Sequence, residues 1–163
     1  MDFINQKKDK TCKLITLLNA FIFKNNKKIF KYPSKSFYNY FDKVNQNTRL
    51  KEEAYEMIGA KREEFVGNNK NFYKWFHNHI IKGNCIDITG YSQGLHSFLV
   101  CNYNKNKDSY MCVNSHIYSD DVVEWLPYAL IIKGHTGKNT IKSFKEIKIN
   151  NIAKQSSAII FNN

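Results

Sequence analysis

The spacing of apolar positions changes near residue 84. Upstream, Leu14, Ile15, Leu17, Leu18, Phe21 and Ile22 cover more than one stripe of a helical wheel, which predicts a helix over 12–24 buried on most sides. Pro33 breaks the Lys/Asn-rich connection that follows, and a short helix is expected over 36–44. A second helix is expected over 48–58, capped by Asn47 or Thr48 and stopped at Gly59. A third, over 69–81, carries Phe72, Trp75, Phe76 and Ile80 at helical spacing and ends near Gly83, with Trp75 read as core. Downstream the period shortens. Strands are expected over 85–89 and 95–103, with a loop over 90–94 between them; the turn 104–108 leads to a returning strand over 110–118. Ser119, Asp120 and Asp121 are expected to cap a helical turn into Trp125. The segments 128–133, 141–149 and 157–161 are further strand candidates. Helices first and antiparallel strands second imply an α+β fold in a single domain, 1–163. Its helical lobe covers about 1–83 and its β lobe about 84–163, with a cleft where the two meet.

Composition narrows the function classes. With 163 residues, 42% of them hydrophobic, 7 Gly and 2 Pro, the chain is neither collagen-like nor an acidic disordered segment. No window carries the roughly 18 apolar residues of a membrane span, so no membrane partner is expected. The formal charge is +11, which suggests acidic partners. Only Arg49 and Arg62 are arginines, however, and base and phosphate readout favours arginine. Lys and Asn are spread along the whole chain, so a dedicated nucleic-acid surface is disfavoured.

Cys12, Cys85, Cys101 and Cys112 include no C-x-x-C pair, which excludes a zinc ribbon or a thioredoxin-like motif on spacing. Cys101 and Cys112 flank the expected hairpin, but period-2 alternation sends them to opposite faces. Free thiols in a reducing, cytoplasmic compartment are expected. The lysines before the 14–23 apolar run imitate a secretory signal. Asn19 interrupts that run, no A-x-A site follows, and Lys24 to Lys28 occupy the place of a cleavage region.

Four positions carry candidate chemistry. Cys12 heads the apolar helix, where unpaired N–H groups and the positive end of the macrodipole favour thiolate. The bland reading is a small buried residue at a helix start. His96 opens a strand beside Gly94 and can reach across a cleft, though a single His is often structural. Asn114 on the returning strand is expected nearly opposite His96, where its carboxamide can fix the imidazole tautomer. An Asn in a half-buried strand needs a partner. Gln6 stands six residues before Cys12, and its amide N–H can meet a developing oxyanion beside the Cys12 N–H.

The ordered set, Gln6-Lys-Lys-Asp-Lys-Thr-Cys12-Lys-Leu-Ile-Thr-Leu-Leu-Asn19-Ala followed by His96-Ser-Phe-Leu-Val and Tyr110-Met-Cys-Val-Asn114-Ser, resembles the papain-like cysteine peptidase superfamily. The layout is most similar to bacteriocin-processing, double-glycine peptidases. The chain departs from them at Lys13, where Gly or an aromatic is common, and at Asn114-Ser115, where Asp-Pro is common. The resemblance implies a papain-like fold and a thiol hydrolase that cleaves a peptide, isopeptide or related amide bond through an acyl-enzyme. Cys12 would be the nucleophile, His96 the acid and base, Asn114 the orienter and Gln6 part of the oxyanion hole. The implied partner is a protein or peptide substrate, with no cofactor.

Around this set, Ser92, Gln93 and Gly94 are expected to line the substrate cleft. His116 is a backup base, Asp87 an alternative orienter, and His135 part of a solvated turn. No metal site is expected, because His77 and His79 lie two apart on a helix and point in different directions. Glu52, Glu53, Glu63 and Glu64 read as solvated helix faces. Two rival functions remain open: a non-catalytic binding protein on the same fold, and a basic nucleic-acid-binding module.

Overall fold

The computed structural model describes residues 3–5, 12–25, 52–91, 95–115, 122–132 and 156–161, without the side chains of residues 90, 91, 95 and 96. Helix α1 (Cys12–Asn25) begins at the expected cysteine and buries Leu14, Ile15, Leu17, Leu18 and Ile22 together with Thr16 and Asn19. Helix α2 (Glu52–Met57) ends at Gly59, whose φ of +74° accepts the left-handed turn that a side chain would strain. A single 3-10 turn (Asn69–Asn71) leads into α3 (Phe72–Ile81). Gly83, at φ +87°, closes α3: its N–H donates to the Ile80 carbonyl and the Asn84 N–H to that of His79, both at 3.0 Å. That pairing satisfies the last helical acceptors.

The strands are β1 (Ala60–Glu64), β2 (Cys85–Tyr91), β3 (Leu95–Asn104), β4 (Ser109–Val113), β5 (Val123–Leu126) and β6 (Ser157–Phe161). They form one sheet in the order β1-β6-β2-β3-β4-β5, and every pairing is antiparallel. Alternation along the strands gives two apolar faces. On one, α1 and α2 pack Leu17, Leu18, Ala54 and Tyr55 over Cys85, Leu99, Cys101, Val113 and Ile159. On the other, α3 packs Phe72, Phe76 and Ile80 over Ile86, Ile88, Phe98, Val100, Tyr110 and Cys112. Cys101 and Cys112 therefore lie on opposite faces, as alternation predicts, and all four thiols are free. The chain is a mixed α+β fold with helices on both sides of an antiparallel sheet, the arrangement that buries both faces.

Five segments differ from the sequence reading. β1 was not anticipated. Its Ala-Lys-Arg-Glu-Glu sequence has no apolar alternation and earns its place by edge pairing with β6 and by Arg62, which lies 3.2 Å from Glu52 and 2.9 Å from Glu64. Residues 123–126 form strand β5 on the edge beside β4, not a helical turn, with Glu124 and Leu126 buried and Trp125 exposed. The β-branched pair Val122-Val123 favours that outcome. Residues 128–131 form a helical turn, α4 (Tyr128–Ile131), not a strand. A short apolar run does not separate the two by periodicity. Pro127, extended at φ −68° and ψ 153°, starts the turn, and its carbonyl accepts from Ile131 at 3.3 Å. Finally, β2 runs on through Gly90 and Tyr91, and β4 stops at Val113. The expected elements at 36–44 and 141–149, and the caps at 47–48, lie outside the described residues. No described helix is long and apolar enough to cross a membrane.

Candidate functional site

The first turn of α1 sits on the β2–β3 end of the sheet. Cys12 is its first residue, and its sulfur accepts the backbone N–H of Ser97 on β3. β4 pairs with β3 only from Leu99 to Asn104, so the N–H groups before Leu99 on that side have no β4 partner. The Ser97 N–H lies near the sheet plane, and the Cys12 sulfur meets it at the strand edge. His96 is the next residue along β3, paired in register with Gly90. The head of α1 and the strand that carries His96 are thus adjacent, although 84 positions separate the two residues.

Cys12 is 8% exposed. Burial pushes its thiol up from the ordinary 9.0. The Ser97 N–H pulls it down, the Asp87 carboxylate pushes it up, and the Lys13 ammonium and the Lys13 N–H pull it down; the net direction is upward. This corrects the expectation of a thiolate favoured by the helix start and a nearby cation. Desolvation penalises the charged form more than one turn of helix dipole favours it. The Lys13 ammonium is itself engaged, 3.1 Å from Asp87 Oδ2 and donating to Thr89 Oγ1 at 2.7 Å.

That ammonium belongs to a buried polar network. Thr89 Oγ1 donates to Asp87 Oδ1 at 3.1 Å and lies 2.9 Å from Ser97 Oγ. With its one hydrogen on Asp87, Thr89 accepts from Lys13 and from Ser97, so the Ser97 hydroxyl is the donor of that last bond. The Thr89 N–H donates to Ser156 Oγ at 3.2 Å. Sequence reasoning treated Asp87 as an alternative orienter and missed this role. The signal was present: in Cys-Ile-Asp-Ile-Thr, alternation puts Ile86 and Ile88 on one buried face and Asp87 and Thr89 on the other, and a buried carboxylate needs a cation.

Asn114 is the first residue past β4. It is buried, and its N–H donates to the Val122 carbonyl at 2.7 Å. The register Leu99–Val113 carries Asn114 to the level of Phe98, two residues along β3 from His96 and not opposite it. The offset comes from the turn, which centres between Asn106 and Lys107 and so lies past residue 105, the centre that an Asn114–His96 pair requires. The turn alone would set Asn114 level with Leu99, and the extra residue Cys101 on β3 brings it back by one. Gln6, the cleft positions Ser92, Gln93 and Gly94, and the histidines His116 and His135 lie outside the described residues, as does the side chain of His96.

Residues 3–5, just before Gln6, are described. The Ile4 N–H donates to Asn19 Oδ1 at 2.9 Å, and Asn19 Nδ2 donates to the Ile4 carbonyl at 3.0 Å. Asn19 therefore clamps the leading segment along α1. The sequence showed it only as an interruption of an apolar run; a fully buried amide in such a helix demands partners. Replacing Asn19 by Ala leaves both Ile4 groups unpaired and is expected to lower stability by about 2–3 kcal/mol, read as a fall in the urea midpoint at constant slope. An unchanged midpoint would remove the clamp from the account.

The other histidines have separate partners. His77 Nδ1 lies 2.6 Å from Tyr110 Oη, whereas His79 Nε2 lies 3.1 Å from Glu63 Oε1. Glu63 also accepts from Trp75 Nε1 at 2.9 Å, a bond that holds its carboxyl below the usual range, helped by His79. Glu52, Glu63 and Glu64 thus bind partners and are not simply solvated. Among the described residues, no three His, Cys, Asp or Glu side chains gather where they could hold a metal ion. No protein-family model and no curated protein matches the sequence.

Proposed function

We propose that the chain is a thiol hydrolase of papain-like arrangement, acting on a peptide, isopeptide or related amide bond. One observation carries the reading: Cys12, heading a buried helix, meets β3 at Ser97, the residue next to His96. Because burial keeps the Cys12 thiol protonated, the reaction starts by general-base catalysis and not from a standing ion pair. His96 takes the Cys12 proton as sulfur attacks the substrate carbonyl. The Cys12 N–H and the Gln6 amide hold the oxyanion. Collapse breaks the C–N bond, and His96 returns the proton to the leaving amine. Water, deprotonated by His96, then cleaves the thioester to a carboxylic acid and free Cys12. Asn114 is assigned to orient the imidazole. No cofactor enters.

Iodoacetamide tests the reading. Cys12 is expected to label at least about tenfold faster than Cys85, Cys101 and Cys112, and His96→Ala to slow Cys12 labelling about tenfold or more at neutral pH. Equal rates for all four thiols, or no response to His96→Ala, would overturn it.

The burial and upward shift of Cys12 favour a second reading, a non-catalytic binding protein on the same frame. A covalent thiol probe separates the two: a folded protein whose Cys12 stays unlabelled supports the binder.

A further inference from the structure

Cys85 and Cys101 take no part in the chemistry proposed for Cys12, yet they face each other. β2 and β3 pair Ile86 with Val100, Asp87 with Leu99 and Thr89 with Ser97; Cys85 and Cys101 are the residues just beyond the Ile86–Val100 pair, and a hydrogen bond joins their side chains. Both belong to the core under α1, at 0% and 1% exposure. Burial, then a hydrogen bond with Cys85, pushes the Cys101 thiol well up.

The kind of pair follows from neighbouring bonds. The Thr89 N–H turns away from β3 to Ser156, and the Ser97 N–H turns away from β2 to Cys12. Thr89 and Ser97 therefore exchange no backbone hydrogen bonds. In an antiparallel ladder that character repeats every second pair, so Asp87–Leu99 and Cys85–Cys101 share it. In such pairs the Cα atoms approach to about 4.5 Å, within the separations a disulfide spans. Cys101 is also the extra residue of the β3 bulge, where no β4 residue opposes it.

We propose that Cys85 and Cys101 are an oxidative modification site that forms a cross-strand disulfide with a small-molecule disulfide as oxidant. One protein thiolate attacks the oxidant, releasing one small thiol and leaving a mixed disulfide. The second thiolate attacks the protein sulfur of that bond and expels the other small thiol. The protein loses two electrons and two protons, and the oxidant gains them as two thiols. The bridge ties β2 to β3 at the end of their ladder away from the Tyr91–Leu95 pair. Because both thiols are sealed, the exchange is slow in the folded protein and fast during refolding.

The test refolds the full chain from denaturant in a mixture of oxidised and reduced glutathione and digests it with trypsin. No Lys or Arg lies between Lys82 and Lys105, so both cysteines leave on one peptide, 83–105. That peptide is expected to be lighter by two hydrogen atoms and to resist iodoacetamide until reduced, while Cys12 and Cys112 stay alkylatable after unfolding. Cys85→Ala and Cys101→Ala each abolish the mass loss. The bridged protein is expected to gain roughly 100-fold in its folding equilibrium, for a loop of this length. A folded wild-type protein whose peptide 83–105 keeps full mass, carries two glutathione adducts, or is linked to Cys12 or Cys112 overturns the proposal. If the alanine variants do not fold, the wild-type peptide map decides alone. The outcome is independent of whether Cys12 is a nucleophile.

Discussion

Raising the pH above 9 is expected to unfold the chain cooperatively, with the fall in stability steepening toward about 4 kcal/mol per pH unit as the unfolded thiols ionise. The slope comes from three thiols. Cys12, Cys101 and Cys112 are all pushed up from the ordinary 9.0, in each case first by burial. The folded state therefore keeps their protons at a pH where the unfolded chain has released them. Folded molecules bind more protons than unfolded ones, so stability falls as pH rises through the unfolded value and stops falling only at the folded value. Each such group contributes about 1.4 kcal/mol per pH unit. Above pH 10 the phenols join: Tyr55 and Tyr110 are raised, and Tyr128 is pushed up to about 12, all chiefly by burial. A native stability of about 5–15 kcal/mol is exhausted within a few units. Circular dichroism against pH, with urea titrations at pH 8, 9 and 10, measures the slope. Cys112→Ala is expected to remove one proton from the linkage and make the decline shallower. A stability flat from pH 8 to 10 would show that these thiols ionise in place, and the packing around them would have to be looser than described.

Those buried thiols also show what the sequence made legible. Apolar periodicity located α1, β3 and β6 to within a residue, and α3 with its 3-10 lead-in as one helical stretch, because each buries a continuous stripe. It missed β1, whose stability comes from backbone pairing and from Arg62 between Glu52 and Glu64, neither of which leaves an apolar pattern. It misassigned 128–131 because a run of five or six apolar residues is compatible with either element, and only Pro127 distinguishes them. At the candidate site, Cys12 was legible as a helix head and His96 as a strand residue, and the fold brings their elements together. The register of Asn114 was not, since the turn centres past residue 105 and the extra residue at Cys101 then shifts the pairing back by only one, and no sequence signal marks either. For the protonation preference of Cys12, the helix start points one way and burial the other, and burial prevails. Helix position is visible in a sequence, whereas the degree of desolvation depends on how strands far apart in the chain close around the sulfur.

Lys13→Met is expected to destabilise the protein by about 3–5 kcal/mol, the cost of leaving one member of a buried ion pair alone. The Asp87 carboxylate is 3% exposed and the Lys13 side chain 13%. Without the ammonium, Asp87 Oδ2 loses its 3.1 Å donor, and among the bonds described above only Thr89 Oγ1 still reaches the carboxylate. Asp87→Asn is expected to cost less, because an amide is cheaper to bury than a carboxylate and the lysine stem can carry its charge outward. The double variant Lys13→Met/Asp87→Asn should then recover more than half of the Lys13→Met loss, and a double-mutant cycle in urea measures that coupling. The same substitutions act on Cys12 in opposite directions. Removing the ammonium pushes the thiol further up and slows iodoacetamide at a given pH; removing the carboxylate lowers it and speeds labelling. General loosening of α1 would speed labelling in both variants. Opposed rates therefore identify the pair as the electrostatic control of the sulfur, and parallel rates would reduce it to a structural tie between α1 and β2.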